Sequence, residues 1–147
     1  MPTKKIIIGR KDKIGLPELG LTDIDAKIDT GAYGCALHCH HIAVVGNENE
    51  KSLTFKLLDP THPEYSNKIF TFTKFGDRVV KSSSGLAEHR YTITTLVEIF
   101  GRKHRVEFSL TDRASMKHPI LLGRKFLNKK YIVDVQLKNV SFEMKSQ

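Results

Sequence analysis

The chain has 147 residues, 39% hydrophobic and 27% charged, with 24 Lys and Arg against 16 Asp and Glu for a formal net charge of +8. That is enough for one domain, residues 1–147, with a real core, and the balance of apolar and charged residues excludes disordered and fibrous classes. No apolar run approaches the roughly 7–15 residues of a signal-peptide core or the ~20 of a membrane helix, so a cytoplasmic protein without membrane contact is expected.

Taken in chain order, the apolar residues recur mostly with period two between turn signals, the pattern of β-structure. "KIIIGR" and "DAKIDTG" read as early strands on either side of the Gly/Pro-rich "IGLPELGL". "ALHCHHIAVVG" continues as a strand, and "GNENEK" turns into the strand "SLTFKLLD". "DPTHPEYSN", with its two prolines, is a loop. "KIFTFTKFGDRVVKSSSG" and "LAEHRYTITTLVEIFGRKHRVEFSLTD" form long antiparallel hairpins turning at "SSSG" and "FGRK". "GRKFLNKK" is the one short helix, and "YIVDVQ" and "NVSFEMK" close the chain as strands. The expected fold class is all-β, a small closed β-barrel with one short helix.

Two features of composition bear on chemistry. Cys35 and Cys39 are the only cysteines. On one strand they lie about 13 Å apart at ~3.3 Å per residue, beyond the ~7 Å that a disulfide tolerates. Both therefore read as free thiols in a reducing compartment. The positive charge is scattered and largely a solvated surface. A nucleic-acid partner is not expected, because the chain has no recognisable binding motif, no placed aromatic pair and no tryptophan.

Three motifs, in order, resemble the retroviral-type aspartic peptidases, the retropepsins. Ile28-Asp29-Thr30-Gly31-Ala32 matches their active-site loop. Pro119 to Arg124 matches their later apolar-apolar-Gly-Arg element opening a short helix, and the stretch from "SSSG" to "HRVEF" has the layout of a flap and a second hairpin. Over almost its full length the chain is similar to a bacterial family named as ATP-dependent zinc proteases, often encoded beside ATP-grasp ligases that add glutamates to proteins. Its shared stretches here are "IGR", "LPELG", "AKIDTGA", "ALH", "SSSG", "LTDR" and "HPILLGR".

The resemblance implies a closed retropepsin-like barrel and hydrolysis of peptide or isopeptide amides. An aspartic peptidase uses two carboxylates that share one proton. Only Asp29 precedes Thr-Gly, and Asp25, Asp112 and Asp134 lack that setting. A homodimer contributing one Asp29 from each chain is therefore implied. In that reading Thr30 locks the paired loops, Gly31 gives the loop its tight turn, and Ala32 lines the substrate path. Ser82, Ser83, Ser84 and Gly85 form a flap tip over an extended peptide. Leu122 and Gly123 support and border the substrate site beneath the loop. One departure stands out: retropepsins commonly carry a second Asp two residues after the Gly, paired with the helix arginine, and here that position is Tyr33. Arg124 thereby loses its expected partner.

A rival lies in "GCALHCHH". Cys35, His38, Cys39, His40 and His41 are metal-ligand types, but strand alternation places His38 and His40 on one face and Cys39 and His41 on the other. A third ligand would have to come from His62, His89, His104 or His118. There is no His-Glu-x-x-His motif and no phosphate loop, so neither metal nor nucleotide cofactor is expected. A zinc hydrolase built on the His38/His40 region and a non-catalytic peptide-binding module remain the alternatives. For the aspartyl reading, the ligase association and the positive charge together point to a polypeptide substrate that is acidic or glutamylated.

Overall fold

The computed structural model describes residues 4–58, 60–81, 84–112 and 118–145. Its architecture is all-β. Among the described residues, eleven strands run β1 Ile6–Ile8, β2 Lys11–Leu16, β3 Leu21–Ile28, β4 Cys35–Gly46, β5 Lys51–Leu57, β6 Phe70–Phe72, β7 Gly76–Lys81, β8 Ala87–Ile99, β9 Arg102–Thr111, β10 Ile120–Leu122 and β11 Tyr131–Val133. Two short helices follow the last sheet strands: α1 spans Arg124–Leu127 and α2 spans Val140–Met144.

Nine strands form one sheet in the order β10-β3-β2-β8-β9-β4-β5-β6, with β7 on β8. β10 pairs in parallel with β3 and antiparallel with β4, so six strands close into a ring through β10. β1 and β11 make a separate parallel pair. Because β10 has neighbours on both edges, its three-residue length suffices to tie Ile120 and Leu122, both wholly buried, beneath the ring's closing seam.

The alternation expected in "SLTFKLLD" holds in β5, and β2, whose Ile14 to Leu16 fall in the stretch expected to be a Gly/Pro-rich connection, is a further strand that buries every second residue. Alternation fails in the first half of β4, where Cys35 to Cys39 are all buried. That segment has β9 and β10 on its edges and core residues such as Phe108, Leu110 and Ile120 packed about it, so both of its faces are covered. Each large side chain removed from water there contributes about 1.5–3 kcal/mol.

The closing "NVSFEMK" corrects the sequence reading. Val140, Phe142 and Met144 alternate like a strand, yet the segment is helical, so the expectation of one short helix becomes two. The reason is a distant carboxylate. Asp12, wholly buried, accepts the N–H of Ser141 at 2.9 Å and of Phe142 at 3.1 Å. These are amides that a helix's first turn leaves without partners, and the two carboxyl oxygens accept from both. Ser141 Oγ then accepts the N–H of Phe100 at 2.8 Å, fastening the helix to the β8–β9 turn.

Candidate active site

β3 delivers Asp29 to the seam between β3, β4 and β10. The strand is held to its last step because the Asp29 N–H donates to the Leu122 carbonyl at 2.9 Å. The chain then turns back, with the Ala32 N–H on the Asp29 carbonyl at 3.2 Å. The Gly31 N–H donates to Asp29 Oδ1 at 3.0 Å and so fixes the direction of the carboxylate. A Cβ at Gly31 would stand 3.3 Å from that same oxygen, a tight contact with the end of a side chain. Asp29 is half-buried, and Thr30 and Gly31 are exposed.

The loop rests on the start of α1. Arg124 and Lys125 donate their N–H groups to the carbonyls of Ala32 and Tyr33 at 2.9 and 2.8 Å. The first amides of the helix thus find partners in the loop above. Gly123 allows this approach: a Cβ there would lie 2.1 Å from the Gly34 carbonyl oxygen and 2.8 Å from those of Ala32 and Tyr33. Its N–H points at the Cys35 sulfur, 3.4 Å away. Burial pushes the Cys35 thiol up, with that N–H working in the opposite sense.

Arg124 does have partners. Its Nη1 donates to the Thr30 carbonyl at 2.9 Å, and its guanidinium lies 5.9 Å from the centre of the Tyr33 ring. The residue in place of the second Asp thus takes the arginine by its face, a cation–π contact in place of an ion pair.

Between this loop and the β7–β8 hairpin lies a cavity of about 430 Å³. Gly31, Ala32, Tyr33 and Leu121 form one wall, and Arg78, Lys81 and Arg90 come from the hairpin. The size fits a peptide or small-ligand cleft. Of the residues expected to bind substrate, Ala32 lines the cavity, while Leu122 and Gly123 are buried beneath the loop. Ser84 and Gly85 are exposed at the hairpin end, Gly85 in the left-handed region at φ +84°. Ser82 and Ser83 lie outside the described residues. The cationic lining escaped the sequence reading, because scattered positive residues carry no mark of which will converge.

The histidine-rich stretch takes a different course. The His38 and His40 rings are 6.4 Å apart, and His40 stacks on Tyr65 at 5.7 Å. Both cysteines are free and buried, and among the described residues no three His, Cys, Asp or Glu side chains gather as a metal-sized group.

A ring of strands that carries an Asp-Thr-Gly loop over an apolar-Gly-Arg helix start defines the retropepsin-like class. Within it, the chain belongs to the RimB-like family, described as retropepsin-like aspartic endopeptidase RimB, which matches residues 7–143. The chain is also 36% identical over 138 residues to a probable alpha-L-glutamate ligase of Shewanella pealeana, covering 91% of this chain and 29% of that one. A protein of the same name from Parasynechococcus marenigrum is 29% identical over 136 residues, covering 90% and 28%. The chain therefore spans under a third of the length of these relatives. In fold it is similar to a crystal structure of a Legionella pneumophila protein of unknown function (DUF785), with a TM-score of 0.69, 24% identity, and 94% and 99% of the two chains covered. No helix among the described residues is long and apolar enough to cross a membrane.

Proposed function

We propose that this chain is an aspartic endopeptidase that works as a homodimer and hydrolyses amide bonds in acidic or glutamylated polypeptides. The observation that carries the reading is the Asp29 carboxylate, aimed by the Gly31 N–H and set beside a cavity under a hairpin. Asp29 from each of two chains meets across a two-fold axis. Two carboxylates at about 3 Å share one proton, so one accepts a proton from water while the other hydrogen-bonds the scissile carbonyl oxygen. The hairpin closes over the extended substrate and excludes water. Two things support an acidic substrate and a working association with an ATP-grasp glutamate ligase. The first is the net charge of +8. The second is the name of the relatives, in which a stretch like this chain is part of a longer polypeptide.

The test is cleavage of glutamate-rich peptides, followed by mass spectrometry. Asp29→Asn abolishes turnover, a fall on the order of 10³-fold or more given what proton transfer contributes. Sedimentation of that variant still reports a dimer, and a chelator leaves the parent protein active. Turnover that survives Asp29→Asn, or disappears with chelation, overturns the aspartyl reading. Affinity for poly-glutamate drops steeply with salt; a flat salt response removes the acidic substrate from the proposal.

A further inference from the structure

The cavity wall contributed by the β7–β8 hairpin has an electrostatic peculiarity. Register places Arg78 directly opposite Arg90 across the two strands. Like charges in that position are destabilising unless something compensates them. Arg78 is compensated by an ion pair with Glu107. Lys125 approaches the same carboxylate at 3.9 Å. Arg90 is compensated less completely. Its side chain is only 9% exposed, and its one ion pair among the described residues, from a terminal nitrogen to Glu88 at 3.1 Å, involves a glutamate that is 45% exposed. Its Nε is buried without a hydrogen-bond partner among the described residues.

A buried guanidinium N–H left unpaired is costly, and a charged one more so. The cavity that Arg90 lines also holds Arg78, Lys81 and Lys125, against Glu107 in its wall, while Glu88 lies outside it, two residues from Arg90 along β8. Cations outnumber carboxylates there, and the charge faces a walled space in which screening is weak. The planar fork of an arginine suits a carboxylate, which accepts from two adjacent N–H groups at once.

We infer that Arg90 is the specificity residue of this cleft: its unpaired Nε edge receives the side-chain carboxylate of a glutamate in an extended peptide lying between the hairpin and the Asp29 loop. Arg78 and Lys125 are held by Glu107 and shape the field around that pocket. This rests on the peptide-cleft reading above, but it concerns binding, and binding is measured apart from cleavage.

The experiment uses Asp29→Asn protein and two fluorescein-labelled probes, hexaglutamate and hexaglutamine, with anisotropy as readout. Hexaglutamate binds and hexaglutamine binds far more weakly. Adding Arg90→Gln lowers hexaglutamate affinity by at least about 30-fold, the loss expected when one partner of a buried charged pair is truncated. Arg102→Gln, which removes the same unit of charge from an exposed site outside the cavity, costs less than about threefold. Arg90→Lys retains the charge without the fork and falls between the two. Should Arg90→Gln lower the melting temperature too far for the titration, Arg90→Lys and the two-probe comparison on the parent decide the matter. Equal affinity for both probes, or equal losses for Arg90→Gln and Arg102→Gln, overturns the assignment. Selective, Arg90-dependent binding with no cleavage by the Asp29 protein would sink the peptidase reading and leave this one standing.

Discussion

Arg124 and Thr30 are joined by a hydrogen bond from Nη1 to a backbone carbonyl at 2.9 Å, so the helix after β10 grips the loop that carries Asp29. The same guanidinium lies over the Tyr33 ring, which makes the grip two-sided. Arg124→Ala removes both contacts, worth about 1 kcal/mol in an exposed setting. On the proposed peptidase reading, turnover falls by up to about tenfold with little change in melting temperature. Steady-state kinetics against thermal denaturation separates the two effects, and an equal loss in Tyr33→Ala would attribute the grip chiefly to the ring.

Gly123 lies under three carbonyl oxygens of that loop, and all three belong to backbone. Its φ is −94°, so conformation alone would admit any residue. Space would not. Gly123→Ala should destabilise the protein by about 1–3 kcal/mol, as overpacking does, and displace the loop. Chemical denaturation would register the first effect and loss of peptide cleavage the second; a variant of wild-type stability would show that the loop yields without cost.

Asp12 caps α2 from a strand at the other end of the chain, and its carboxylate also accepts the N–H of Lys13 at 2.8 Å. Asp12→Ala leaves amides at a buried helix start without partners, at about 1–3 kcal/mol each. A loss of roughly 2–4 kcal/mol in urea unfolding is expected on that basis, together with faster hydrogen exchange at Ser141 and Phe142. Exchange unchanged at those two amides would mean that water replaces the cap.

His104 gives a pH test. Burial, aided by Lys130 and Arg102, lowers its pKa below the ordinary 6.5. The unfolded chain therefore takes up its proton at a higher pH than the folded one does. Stability from this site is complete above about pH 6.5 and is lost as pH falls through the lower folded value. The fall in melting temperature from pH 7.5 to 5.5 should be smaller in His104→Gln than in the parent. An identical slope in the two proteins would assign the pH dependence to other groups.

Much of this molecule was legible before folding was considered. Period-two apolar spacing in "SLTFKL" records a strand with one face covered, whereas "KDKIGL", with a glycine and only two apolar residues, did not announce the strand that it forms. The Asp29-Thr30-Gly31 loop and the Gly123-Arg124 helix start were legible through their resemblance to the paired motifs of the retropepsins, and at Gly123 the close backbone approach gives the physical reason for glycine. The helix at Val140–Met144 was not legible, since its cap comes from Asp12, and an alternating apolar triplet fits either conformation. The burial of His38 was equally hidden: it depends on β9 and β10 closing around β4.

By itself, then, the sequence determined the β-rich class, because that depends on local periodicity, and the resemblance of its motifs to the retropepsins marked the candidate carboxylate and the glycines beside it. Only the tertiary structure decided which scattered cations converge on the cavity and what holds Arg124. Both depend on strands brought into register across long stretches of chain, and a net charge of +8 carries no information about distance.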